Sequence, residues 1–181
     1  SDLEARINAT RQKTELEDLY LPYKPKRRTK ATIARERGLE PLALIIAAQE
    51  HKTGSPLEVA AQFVDPEKDV PTAEAALEGA GHILAEQLSD DVDARAMVRR
   101  LTWEQGIMTT KVVADKKEQV SKFEMYYDYQ EPLKEIPSHR MLAMRRGEKE
   151  ELLRLALQVP QDEILAGLKH RLIKGDSIFK P

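Results

Sequence analysis

Residues 29–48 read TKATIARERGLEPLALIIAA, and their punctuation decides the fold class. Thr29 can cap a first helix by accepting an amide hydrogen bond, and Gly38 can take the backbone conformation that ends it. Pro41 suits the first turn of a second helix running through Ala48. Two short helices meeting across a glycine turn make a helix-turn-helix outline. The second helix is apolar and offers only Gln49 to a base edge, so it reads as core rather than as a sequence-reading helix.

Outward from this pair the same signals recur. Towards the N-terminus, Leu3, Ile7, Leu16 and Leu19 lie on one helical segment that must stop before Pro22, after which LPYKPK is expected to be extended. Towards the C-terminus, SPLE at 55–58 supplies a capping box for a helix reaching about Phe63. Thr72 and Ser89 are placed to cap two longer helices, and Ser138 a third that Gly147 should close. IMTTKVV at 107–113 is dense in β-branched residues and reads as a short strand, although Met108 and Val112 would also suit a helix. LLRLALQV at 152–159 also fits a helix through Leu152, Leu155, Ala156 and Val159, but the flanking Gly147 and Pro160 favour a strand, which needs a partner from 107–113 or from a following domain. Residues 116–127 read as helix, DYQEPLKEIP at 128–137 as loop, and 162–173 as the last helix. The expectation is a mainly α, irregular multi-helical chain with a helix-turn-helix-like element and at most one or two short strands. Its expected organisation is a single helical piece: residues 1–49 holding the first helix, a basic segment and the helix pair, 55–146 a helical core, and 147–181 a strand and helix leading into a following domain.

Composition agrees. Of 181 residues 33% are charged, 5% are aromatic and eight are glycine, which favours helices with charged faces over a sheet sandwich. Twenty-nine basic residues against 31 acidic ones give a formal net charge of −2, so any attraction to nucleic acid must be local. The chain has no cysteine, hence no disulfide, thiolate ligand or cysteine nucleophile, and this fits a reducing cytoplasm. Its longest apolar run, Leu42–Ala48, is far short of the roughly 20 residues that cross a bilayer, so no membrane partner is expected. The chain opens on a helical pattern without an initiator methionine or secretory signal, as a piece of a longer protein would. His51, His82, His139 and His170 include no pair at metal-ligand spacing, and Asp90, Asp91 and Asp93 fall where a helix start favours carboxylates. No metal, cofactor or catalytic residue is expected. Trp103 is expected in the core.

The chemistry therefore rests on charge. Seven basic residues against Glu36 give residues 24–37 a strong positive excess inside an acidic chain. Lys24, Lys26, Arg27, Arg28 and Lys30 are the candidate nucleic-acid contacts, and Arg145 and Arg146 form a secondary basic patch. Tyr20, Pro22, Tyr23 and Pro25 interleave with the first group. In one reading the rings stack on bases while the cations track phosphates. In the other these four residues lock a strap onto the helices, with Tyr23 turned inwards and the lysines outwards. Both readings stand.

The strings LEDLYLPYKPKRRTKATIARERGLEPLA, YYDYQEP and IPSHRMLAMRRGEKEELL closely resemble the bacterial transcription accessory protein Tex family over nearly the whole chain. That resemblance implies the helical N-terminal region of a large, non-enzymatic nucleic-acid-binding protein related to a eukaryotic elongation factor and histone chaperone. It further implies an RNase H-like domain, helix-hairpin-helix elements and an oligonucleotide-binding barrel in the remainder. Implied partners are RNA or DNA in the intact protein, its other domains and the transcription machinery. The alternative is a purely structural scaffold that docks other domains or a transcription partner and binds no nucleic acid itself.

Overall fold

The computed structural model describes residues 2–24 and 27–180, and the fold is mainly α with a few short strands. The chain divides into two compact units: Ser1–Ala96 with Leu168–Pro181, and Met97–Gly167.

In the first unit the expected opening helix is two, α1 (Asp2–Ala9) and α2 (Lys13–Tyr20). Thr10 ends α1 by donating its hydroxyl to the Arg6 carbonyl at 2.8 Å, satisfying an acceptor the helix would otherwise leave open. Next come α3 (Lys30–Glu36) and α4 (Glu40–Ala48), joined at Gly38, whose φ of +80° lies where only glycine is unstrained. The Thr29 hydroxyl caps α3, accepting from the Thr32 amide at 3.1 Å. Ser55 and Glu58 form the capping box of α5 (Pro56–Ala60). Thr72 caps α6 (Ala73–Asp90), accepting from the Ala75 amide at 3.2 Å. Helices α3, α4 and α5 all pack on α6. Its small face, Ala76 and Ala80, lets them approach, and Leu39, Leu42 and Ile83 fill the space between them.

Ser89 does not start the next helix. It stays inside α6, and the carboxylate of Asp91 instead caps α7 (Val92–Gln105) by accepting from the Ala94 amide at 2.6 Å. An ionised acceptor at a helix N-terminus is worth more than a hydroxyl, and it also meets the positive end of the dipole.

The second unit is built on an antiparallel sheet in the order β2-β1-β3: β1 (Ile107–Val112), β2 (Asp128–Pro132) and β3 (Leu153–Gln158). The pairing of β1 with β3, Thr110 opposite Leu155, is the partnership expected for 152–159. β2 makes a third strand where at most two were expected, in a stretch read as loop. Residues 116–127 are not a helix. They form 3-10 turns at Ala114–Lys116 and Glu124–Tyr126 that bury Phe123 and Tyr126, with the Tyr127 hydroxyl donating to the Gln119 carbonyl at 2.6 Å. Helix α8 (Ser138–Lys149) starts after Pro137 without a side-chain cap and runs through Gly147 rather than stopping there. Gly147 is buried because Leu153 and Phe123 lie where a side chain would go. Trp103 is 57% exposed, not core. Helix α9 spans Gln161–Leu172.

A polar knot ties β2 to α8. Arg140 donates to the Tyr129 hydroxyl at 2.8 Å and to Glu131, and the Tyr129 hydroxyl donates to Glu131 at 2.8 Å. Hydrogen bonds from Arg140, then from Tyr129, hold the Glu131 carboxyl below the usual glutamate range. A depressed folded-state pKa contributes stability that is complete above the unfolded value, about 4.3, and lost as pH falls through the folded one. Glu131→Gln should therefore flatten the loss of stability below about pH 4.3. Urea midpoints followed at Trp103 check this; an unchanged pH profile would show the knot contributes nothing there.

Candidate nucleic-acid interface

The basic segment begins where α2 ends. Asp18 and Leu19 are the buried residues of this eight-residue helix, and Asp18 accepts from the Arg95 guanidinium at 2.7 Å. Arg95 in turn donates to the Ser89 carbonyl at 3.3 Å, so α2 is pinned at the start of α7. Beyond Tyr20 the chain makes a 3-10 turn over Leu21–Tyr23, closed by the Lys24 amide on the Leu21 carbonyl at 3.2 Å.

That turn corrects the extended strap. Pro22 holds its φ near −65° and lacks an amide, which suits a helical first turn as well as an extended chain. Without strand alternation Tyr23 has no inward face: the residue is 64% exposed, and Tyr20 56%. Neither tyrosine locks the segment to the core. Pro22 is exposed; Pro25 and Lys26 lie outside the described residues.

The cations divide into two groups. Arg28 pairs with Glu36 at 2.8 Å, Arg35 with Glu86 at 2.7 Å and Glu40 at 3.7 Å, and Arg37 with Asp69. Glu86 also accepts the Thr29 hydroxyl at 2.9 Å, so it fastens the cap of α3 to α6. Arg35 is a half-buried fastener, whereas Arg28 and Arg37 are answered by carboxylates at the surface. Lys24, Arg27 and Lys30 are exposed and have no carboxylate partner among the described residues. Charge available to a ligand is thus smaller than the sequence count and sits beside two open tyrosine rings. Asp18, Arg95 and Glu86, which position this surface, carry no local sequence signal, since their partners are 77 and 51 residues away.

In the second unit Arg145 pairs with Glu148 one turn along α8, which leaves Arg146 exposed and without an ion pair among the described residues. His139 and His170 are exposed, His82 lies 3.5 Å from Glu78, and His51 meets the edge of Phe179. Among the described residues no cluster of histidine and carboxylate could hold a metal, and no helix is long and apolar enough to cross a membrane.

Known proteins resemble this chain strongly. The family described as Tex central region-like matches residues 51–174, a range that begins after the basic segment. YhgF of Escherichia coli is 49% identical over 156 residues, covering 86% of this chain and 20% of YhgF. The transcriptional accessory protein Tex of Neisseria gonorrhoeae is 46% identical over 162 residues, 90% of this chain and 21% of that protein. YdcI of Bacillus subtilis is 43% identical over 182 residues, 97% of this chain and 24% of its own length. The chain thus spans between a fifth and a quarter of these relatives.

Proposed function

Since this chain belongs to the Tex family, we propose that it is the helical scaffold of a non-enzymatic, cytoplasmic transcription accessory factor and adds its own contacts to RNA or DNA through residues 20–30. The observation that supports this is the exposed pair Tyr20 and Tyr23 beside Lys24, Arg27 and Lys30, which have no carboxylate partner among the described residues. Stacking on ring faces and phosphate neutralisation both ignore base edges, so binding should be tolerant of sequence and sensitive to salt. Single strands, whose bases are free to stack, should bind better than duplexes.

The test is fluorescence anisotropy with a labelled single-stranded RNA of about 12 nucleotides, titrated across salt concentrations. Wild-type chain should show a linear loss of log affinity with log salt. The triple variant Lys24→Glu, Arg27→Glu, Lys30→Glu should bind weakly, with the slope flatter by about 2, or roughly 0.7 for each of its three phosphate contacts. Its melting temperature should hardly move, because exposed charges contribute about 0–1 kcal/mol each. Wild-type affinity and slope in the variant would leave the segment a structural element. The second reading, docking of a protein partner or another domain without nucleic acid, is favoured by Trp103, which is 57% exposed and of the residue type commonest at binding hot spots.

A further inference from the structure

Separate from the basic segment, the first unit carries a cavity of about 740 Å³ in a groove between the end of α4, the second half of α6 and the end of α9 with the chain that follows it. Its floor is apolar: Ile46, Leu84, Leu88, Leu172, Ile173 and Phe179. The groove is preformed by specific ties. Gln49, at a left-handed φ of 55°, donates its side-chain amide to the Leu172 carbonyl and accepts from the Lys174 amide at 2.9 Å, closing the end of α9. The Ile178 amide donates to the His51 carbonyl at 3.0 Å, which ties the segment carrying Phe179 to the chain just beyond α4. A binding surface held this way needs little ordering when it is filled.

The rim is positive. Lys169, His170 and Lys174 line the groove, are exposed, and have no ion pair among the described residues. Asp91, the acidic residue of the lining, is already engaged by Arg171 at 3.0 Å, and Arg171 also reaches Asp93 at 3.3 Å. An apolar floor beneath unanswered lysines selects an occupant that is both apolar and anionic. We infer that this groove receives an acidic amphipathic helix from a partner protein, its apolar residues at i, i+4 and i+7 on the floor and its carboxylates against Lys169 and Lys174.

Other anionic ligands fit less well. Leu172 is 45% exposed, so a fatty-acid chain lying in the groove would stay half in water, whereas a helix brings its own polar face to that side. Phe179, half-buried and T-shaped to His51 with centroids 6.1 Å apart, is the single Phe, Tyr or Trp ring among the described residues of the lining, too little for the series of rings on which successive bases stack. The volume lies within the range of about 300–1,000 Å³ that buries drug-sized groups, enough for a few aliphatic side chains.

The probe is a fluorescein-labelled synthetic helix of about 15 residues, with leucines on one face and glutamates elsewhere; a second peptide replaces the glutamates with lysines. The full chain should bind the acidic peptide saturably and the basic one not at all. Lys169→Glu with Lys174→Glu should weaken binding about tenfold, and Leu172→Arg should abolish it, both variants keeping the wild-type circular dichroism. Amide shifts should move at Gln49, Leu88 and Leu172. The Lys24, Arg27, Lys30 triple variant should bind the peptide like wild type, which separates this site from the nucleic-acid reading. No saturable binding, equal binding of the basic peptide, or wild-type affinity in the double charge reversal would overturn the inference. So would displacement of the peptide by oleate or single-stranded RNA, or a dimer of the chain that Leu172→Arg dissociates; these would assign the groove to a lipid, a nucleic acid or a second copy.

Discussion

Gly147→Val is expected to unfold the second unit under conditions where the wild-type chain is folded, and even Gly147→Ala should destabilise it. Alanine in a helix interior ordinarily gains about 1 kcal/mol over glycine, so the sign here depends on space. A Cβ on residue 147 would lie 2.5 Å from Leu153 Cδ1, 2.9 Å from its Cγ and 3.3 Å from Phe123 Cγ. Leu153 is 2% exposed and sits in β3, so it cannot swing into solvent to make room. Overpacking of this kind costs about 1–3 kcal/mol, enough to outweigh the propensity gain for alanine. Valine adds two methyl groups to the same contact. Unfolding in urea followed at Trp103 reads the outcome, and Gly147→Ala with a midpoint at or above wild type would refute the argument. A second arm tests the cause: in a Leu153→Ala background the cost of Gly147→Ala should shrink, since the crowding atoms are gone. A glycine needed for a left-handed helix stop would cost the same in both backgrounds.

Gly147 also marks where a linear reading of the sequence stops working. Thr29, Gly38, Pro41, Ser55 and Thr72 were legible because each acts within four residues, through a cap or a backbone angle. Gly147 looks like such a stop but answers to Leu153 and Phe123, which only tertiary packing brings to it. β2 escaped detection for a related reason. Asp128, Gln130 and Pro132 have low strand propensity, and the strand exists because β1 supplies its pairing while Tyr129 and Glu131 meet Arg140. Ser89 lost the cap to Asp91 because the alternatives stand two residues apart and the carboxylate is the stronger acceptor. At the interface, the positive excess of 24–37 was legible as a count, but not which arginines fold back onto Glu36, Glu86 and Asp69. The strings that carried the family resemblance, YYDYQEP and IPSHRMLAMRRGEKEELL, hold Tyr129, Glu131, Arg140 and Gly147, the residues that fasten α8 to the sheet.

Arg95→Met should lower the stability of the first unit by about 3 kcal/mol and weaken RNA binding, although Arg95 lies outside the candidate contact surface. Asp18 is 3% exposed, and its guanidinium partner sits 2.7 Å away. Removing one member of a buried ion pair strands the other charge in a poor solvent, a loss of about 3–5 kcal/mol; the lower end applies because Asp18 keeps other interactions and Arg95 is partly exposed. The alternative for the chain is to release α2. Eight residues are too few to hold a helix without tertiary contacts, and Asp18 and Leu19 are what this one buries. Released, α2 no longer fixes Tyr20 and Tyr23, and binding must then bear the entropy of ordering them. Loss of one positive charge is the competing explanation, and the double variant Asp18→Leu, Arg95→Met separates the two. An apolar pair replacing a buried ion pair is close to neutral, so stability and RNA affinity should both recover except for what the other interactions of Asp18 contribute, while the net charge is the same as in wild type. Arg95→Lys keeps the charge but places a single ammonium where the guanidinium now reaches both Asp18 and the Ser89 carbonyl, so it should show an intermediate loss. Wild-type melting and wild-type anisotropy in Arg95→Met would mean that α2 is held by Leu19 alone, and that the tyrosine platform does not depend on the ion pair beneath it.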